Sequence, residues 1–157
     1  MISDALFSDC GTYRYWLSRV WDEDKPLAVF IGANPSLAGK KLNDATIVRL
    51  IGFCDRWNYG GFVIVNLAAY IATEQDKLNH VPDPIGPDND RWIDHWCKDR
   101  VAIVMWGDGA ASKLKNGLRL WDVKKRLGSM LCFGKTRSGA PKHPVRLSYE
   151  TKLVPYP

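Results

Sequence analysis

The 157 residues include 22 Lys and Arg against 17 Asp and Glu, giving a formal charge of +5 and a pI near 9.1. This length supports one full core and is short for two, so residues 1–157 are read as a single domain. The basic balance fits nucleic acid or another polyanion, and no apolar run approaches bilayer length, so no membrane partner is expected.

Cys10, Cys54, Cys97 and Cys132 are widely spaced, with no Cys-x-x-Cys pair and no signal-peptide pattern ahead of them. They read as buried free thiols of a reduced, cytoplasmic protein. The spacing also argues against structural zinc or an iron–sulfur cluster, so neither metal nor cofactor is expected.

The N-terminal segment to Gly11 is weakly patterned. An aromatic, alternating run over Tyr13 to Trp21 predicts a strand, with Arg14 and Arg19 on its solvent side. The turn Asp22 to Pro26 leads into Leu27-Ala28-Val29-Phe30-Ile31, an apolar run that suits a strand buried on both faces, and predicts antiparallel pairing of the two. The run breaks at Gly32 into Ala33-Asn34-Pro35-Ser36, followed by Lys40 and Lys41.

Ile47, Leu50, Ile51, Cys54 and Trp57 at helical spacing predict a helix over 45–57, capped by Asn43 or Asp44. Phe62-Val63-Ile64-Val65 is a second buried strand, ending in Asn66. Strand, helix, strand at this spacing is a right-handed crossover, which brings both strand ends to one edge of a parallel sheet.

Residues 71–87 read as loop, with Pro82, Pro84 and Pro87. A helix opens at Asp88 or Asn89 and runs to Arg100, Val101 to Trp106 is a third strand, and Ala110 to Leu127 is a basic amphipathic helix with Leu114, Leu118, Trp121 and Leu127 inward and Lys113, Lys115, Arg119, Lys124, Lys125 and Arg126 outward. Met130 to Phe133 is a fourth strand, followed by a basic loop from Gly134 to Pro144; the tail from Ser148 reads as an ordinary terminus. The expected fold is therefore a three-layer α/β domain with a central, mainly parallel four-stranded sheet.

Ligands of open α/β sheets sit at the carboxyl ends of the strands. Here those ends supply Asn34, Asn66, Trp106 with Gly107, and the loop from Lys135 to His143. An asparagine amide both donates and accepts, and so suits a nucleobase edge or a bound water. Histidine can donate to developing negative charge, while lysine and arginine hold phosphate oxygens. Each also has a plainer reading: Asn34-Pro35 as a turn, Asn66 as a partner for neighbouring backbone, His143 as a structural residue, Trp106 as core.

Several stretches carry a resemblance: Tyr13-Arg14-Tyr15-Trp16-Leu17, Asn34-Pro35-Ser36, Asp44-Ala45-Thr46-Ile47, Trp57-Asn58-Tyr59-Gly60-Gly61, Val65-Asn66-Leu67 and Pro141-Lys142-His143-Pro144. In this order they resemble the bacterial and phage proteins grouped as domain-of-unknown-function family 1643. More distantly, Gly32-Ala33-Asn34-Pro35-Ser36, Val65-Asn66-Leu67, Val104-Met105-Trp106-Gly107 and His143-Pro144 are similar to motifs of the uracil-DNA glycosylase superfamily, closest to its mismatch-specific branch.

That resemblance implies a uracil-DNA glycosylase-like fold and a DNA partner whose target base is flipped from the stack. Asn34 and His143 would be catalytic, Asn34 positioning water and His143 stabilising the departing base. Asn66 would read the base, with Tyr70, Pro35 and Ser36 around it. Lys40, Lys41, Lys135, Arg137, Lys142 and Arg146 would grip phosphates. The sequence departs from the motifs in having no aromatic shortly after Asn34 to stack on the base, for which Tyr70 or Phe53 would substitute. Asn34 in place of a carboxylate implies slow hydrolysis, and the serine-rich continuation after His143-Pro144 is missing.

The function expected is base processing, foremost N-glycosidic hydrolysis releasing an unusual or modified base from DNA. The rivals are a phage-type base-modification or nucleotide-processing enzyme using the same pocket, and a non-catalytic nucleic-acid or nucleotide-binding module.

Overall fold

The structure, a computed structural model, describes residues 1–36 and 41–157. The four apolar runs form β3 (Leu27–Gly32), β4 (Gly61–Asn66), β5 (Ala102–Val104) and β6 (Met130–Cys132). Buried on both faces, they have no solvent side to impose alternation. They lie parallel in the order β4-β3-β5-β6. Helix α1 (Ala45–Arg56) connects β3 to β4, and Asp44 caps it by accepting the Ile47 N–H at 2.9 Å.

The expected four-stranded sheet is corrected to a mixed sheet of seven, β1-β2-β4-β3-β5-β6-β7. The added strands β1 (Ile2–Phe7), β2 (Arg14–Val20) and β7 (Val154–Tyr156) run antiparallel to their neighbours. β1 and β7 are edge strands with little full burial, so they lack the apolar signature that marks the centre. β2 pairs with β4, Leu17 opposite Ile64, and not with β3 as expected. Both edges of β3 are already occupied, by β4 and β5.

Helices cover both faces. On one, Ile47, Leu50 and Phe53 of α1 pack with Phe30, Phe62 and Ile64. On the other, Ile31, Val65 and Val104 pack with Ile93 of α2 (Asn89–Cys97) and Val123 of α3 (Leu118–Arg126).

The single helix expected over 110–127 is broken. A 3₁₀ segment, Ala110–Gly117, ends where Lys115 and Asn116 turn left-handed at φ 54° and 55°, and α3 starts afresh at Leu118. The new phase turns Leu118 and Trp121 outward, 62% and 59% exposed, and carries Arg119 inward at 2%. Arg14 and Arg19 also differ from expectation, at 5% and 0% exposed. Cys10 is exposed rather than buried.

A bulge explains Arg14. Leu6 lies opposite Trp16 but Phe7 opposite Arg14, so Tyr15 is an extra residue in β2. Trp16 faces the α2 layer, and strict alternation would place Arg14 there too; with the bulge it lines a crevice together with Ile47 and Ile64 of the α1-side core. Among the described residues no helix is long and apolar enough to cross a membrane.

Candidate functional site

The parallel register sets Gly32 opposite Asn66, so β3 and β4 deliver their polar ends side by side. The chains leaving them stay bonded: Leu67 N–H donates to Gly32 O and Ala68 N–H to Ala33 O, each at 3.0 Å. Above this edge opens a crevice of about 350 Å³ whose walls include Asn34, Asn66, His143, Arg14, Asp44 and Trp106. Its volume falls within the roughly 300–1,000 Å³ of small-molecule sites.

Asn34 is oriented by its amide nitrogen. Nδ2 donates to Ala72 O at 2.8 Å and to Pro35 O at 3.0 Å, which leaves Oδ1 as the end available to a ligand or water. Asn34 therefore both ties the loop together and lines the crevice.

Asn66 is 3% exposed, and its Nδ2 finds no hydrogen-bond partner among the described residues. A buried donor left so costs about 1–3 kcal/mol, which a ligand acceptor would recover. Its position is built from behind. Nδ2 of the fully buried Asn89 donates to Asn66 O at 3.0 Å, and Arg119 Nε donates to Leu67 O at 2.7 Å. Arg119 is held in turn by Asp90 at 2.6 Å and Asp122 at 3.2 Å.

His143 caps the last 3₁₀ turn, its Nδ1 accepting from Val145 N–H at 3.3 Å. The ring proton therefore sits on Nε2, the other edge of the ring. Desolvation moves the His143 pKa down, against the opposing pull of Asp44, which favours a neutral donor at pH 7.

Two wall residues carry chemistry that sequence reasoning did not assign to the site. Arg14 was placed on the surface because the bulge that redirects it leaves no mark in the hydropathy pattern. Burial lowers its pKa to about 10, with Asp44 raising and Arg19 lowering it, so the guanidinium remains charged at neutral pH. Asp44, one of the two cap candidates with Asn43, is the cap; its second oxygen also accepts from Ser36 Oγ at 3.3 Å. The Asp44-Ala45-Thr46-Ile47 stretch was the available signal, since Thr46 and Ile47 line the crevice as well.

Ser36 lines the crevice, whereas Pro35 and Tyr70 do not. Pro35 is buried, and the Tyr70 ring meets Tyr13 edge-on at 6.1 Å. Phe53, 0% exposed, belongs to the α1-side core. Lys135, Arg137 and Lys142 lie on a hairpin closed by Thr136 N–H to Ala140 O at 2.7 Å and Lys142 N–H to Gly134 O at 2.9 Å. All three, with Lys41 and Arg146, are exposed and outside the crevice wall. Lys40 lies outside the described residues. Among the described residues no group of three or more His, Cys, Asp or Glu is placed to hold a metal ion.

The polar crevice lies at the carboxyl ends of the parallel strands of a mixed sheet, the edge at which ligands of open α/β sheets sit. The chain belongs to the family described as Protein of unknown function (DUF1643), whose profile matches residues 14–145. That span contains every residue lining the crevice. No curated protein and no solved structure matches the chain.

Proposed function

We propose that this protein is a nucleic-acid base-processing enzyme with a uracil-DNA glycosylase-like domain, an N-glycosylase that releases an unusual or modified base from DNA. The observation that carries the reading is Asn66: a buried amide whose donor end lacks a partner among the described residues, in the same wall as Asn34 and His143. A nucleobase edge supplies the acceptor that such a donor requires.

In this reading the target base leaves the stack and enters the crevice, and Asn66 Nδ2 donates to one of its acceptors. Oδ1 of Asn34 holds a water against the anomeric carbon. The carbon–nitrogen bond breaks with its electron pair passing to the base, and the water oxygen bonds the anomeric carbon as its proton passes through solvent to the departing base anion, which leaves neutral. Nε2–H of His143 stabilises the charge developing on the base. An amide cannot take the water's proton as a carboxylate would, so turnover is slow. The exposed Lys41, Lys135, Arg137, Lys142 and Arg146 hold the flanking phosphates.

The test is a panel of single- and double-stranded DNA carrying uracil, hydroxymethyluracil and other modified bases, assayed by mass spectrometry for free base. Base release that is abolished by Asn34→Ala and by Asn66→Ala is expected. Binding that leaves the DNA unchanged would replace the reading with a binding module, and a mass change on intact DNA would replace it with a base-modifying enzyme.

A further inference from the structure

Leu118 and Trp121 stand in the open on α3, beside a second groove of about 470 Å³ whose walls also include Lys115, Ile85 and Gly86. The backbone sets this exposure. Lys115, Asn116 and Gly117 are left-handed in succession, at φ 54°, 55° and 86°, a conformation unfavourable for the two residues that carry a Cβ. Strain of this kind clusters at ligand clamps and active sites, and here it turns an indole and a leucine out of the core.

The charges around the groove divide into committed and uncommitted ones. Asp90 and Asp122 pair with Arg119 and Arg126, and Asp83 is tied into its own loop by accepting from Gly86 N–H at 3.0 Å. Lys115 and Lys125 enter none of these pairs and are exposed. Lys125 Nζ lies 3.9 Å from the centroid of the Trp121 ring, so the exposed aromatic surface has a cation beside it. An accessible tryptophan flanked by free lysines matches a base with its phosphates, since every base offers a π-face and the lysines select a polyanion.

We propose that this groove is a second nucleic-acid contact, in which an unpaired base of a single strand stacks on Trp121 beside Leu118 while Lys115 and Lys125 hold the adjoining phosphates. It rests on the nucleic-acid reading of the protein and adds a site outside the crevice. The two sites flank the end of β4: Arg119 stands in the groove wall and donates to Leu67 O, one residue beyond Asn66 in the crevice wall.

The experiment is fluorescence anisotropy of a labelled oligothymidylate, with an abasic strand of the same length as comparison, at fixed ionic strength. Trp121→Ala should weaken the oligothymidylate about tenfold, the effect of one stacked base, and leave the abasic strand unchanged. Trp121→Phe should keep part of the affinity. Lys115→Gln combined with Lys125→Gln should weaken both strands and flatten the salt dependence. Unchanged binding by Trp121→Ala, or an equal loss for both strands, overturns the assignment. A dimer in sedimentation that Trp121→Ala dissolves overturns it too, because the occupant is then a second copy of the chain. The oligothymidylate carries no modified base, so this binding is read apart from base release. Trp121-dependent binding without release from the modified-base panel would refute the glycosylase reading alone, and release without Trp121-dependent binding would refute the groove alone.

Discussion

A Cβ on Gly32 would stand 2.8 Å from Oδ1 of Asn66, closer than a methyl group and an amide oxygen can approach. The glycine that ends β3 therefore makes room for the amide that ends β4. Gly32→Ala should displace Asn66 while leaving the fold intact, at about 1–3 kcal/mol of stability. Base release or ligand affinity should fall far more, on the order of a hundredfold for a displacement approaching 1 Å. Calorimetric titration and thermal unfolding of the same variant separate the two effects, and unchanged affinity would show that Asn66 does not meet the ligand.

Two arginines of one helix should differ in weight. Arg119→Ala strips the Leu67 carbonyl of its donor and opens a buried site, while water can reach the half-exposed Asp90 and Asp122 left behind. A loss of roughly 1–3 kcal/mol is expected, with ligand affinity falling too because the β4 end relaxes. Arg126→Ala breaks pairs to Asp94 at 2.7 Å and Asp90 at 3.1 Å on the surface, for roughly 0–1 kcal/mol. Urea unfolding of both variants checks the order.

Protonation of His143 should destabilise the fold. Its folded pKa lies below the ordinary value of 6.5, so the unfolded chain takes up the proton first as pH falls. The stability associated with the neutral ring is complete above 6.5 and is lost as pH drops from there through the folded pKa. His143→Gln should flatten that segment of the stability profile; an unchanged slope would place the titrating group elsewhere.

Cys10 should be the first thiol to react. It is exposed, and contacts with Ser8 Oγ at 3.4 Å and Thr12 Oγ1 at 3.2 Å lower its pKa to about 7. Burial pushes Cys54 up, and Cys97 up to about 12. Alkylation with iodoacetamide at pH 7, followed by peptide mapping, should mark Cys10 well ahead of both. Ser8→Ala should slow it, and equal labelling of the three would contradict the assignment.

The parallel centre of the sheet was legible because full burial writes itself as unbroken apolar runs, and the place of Asn34 and Asn66 at one crevice followed from the crossover between β3 and β4. Features set by neighbours were not. The pairing of β2 with β4 depends on both edges of β3 being occupied by other strands. The phase of α3 was misjudged because periodicity was carried across Lys115 and Asn116, where the backbone turns left-handed and restarts the count. Leu118 and Trp121 then read as core, and Arg119, the support of the β4 end, read as surface. Asp44 could be recognised as a cap from its place before a helical run, but its exposure to the crevice depends on where the β3 loop lies.

The bulge at Tyr15 makes the wall of the crevice depend on residue number as well as residue type. One more residue in β1 between Leu6 and Phe7 would give Tyr15 a partner, restore plain alternation along β2 and turn Arg14 through to the opposite layer beside Trp16. A one-residue change in length here would take a guanidinium out of the crevice wall with no substitution at any lining position. Among related chains, insertions between Leu6 and Phe7 should therefore be counted as changes to the crevice wall.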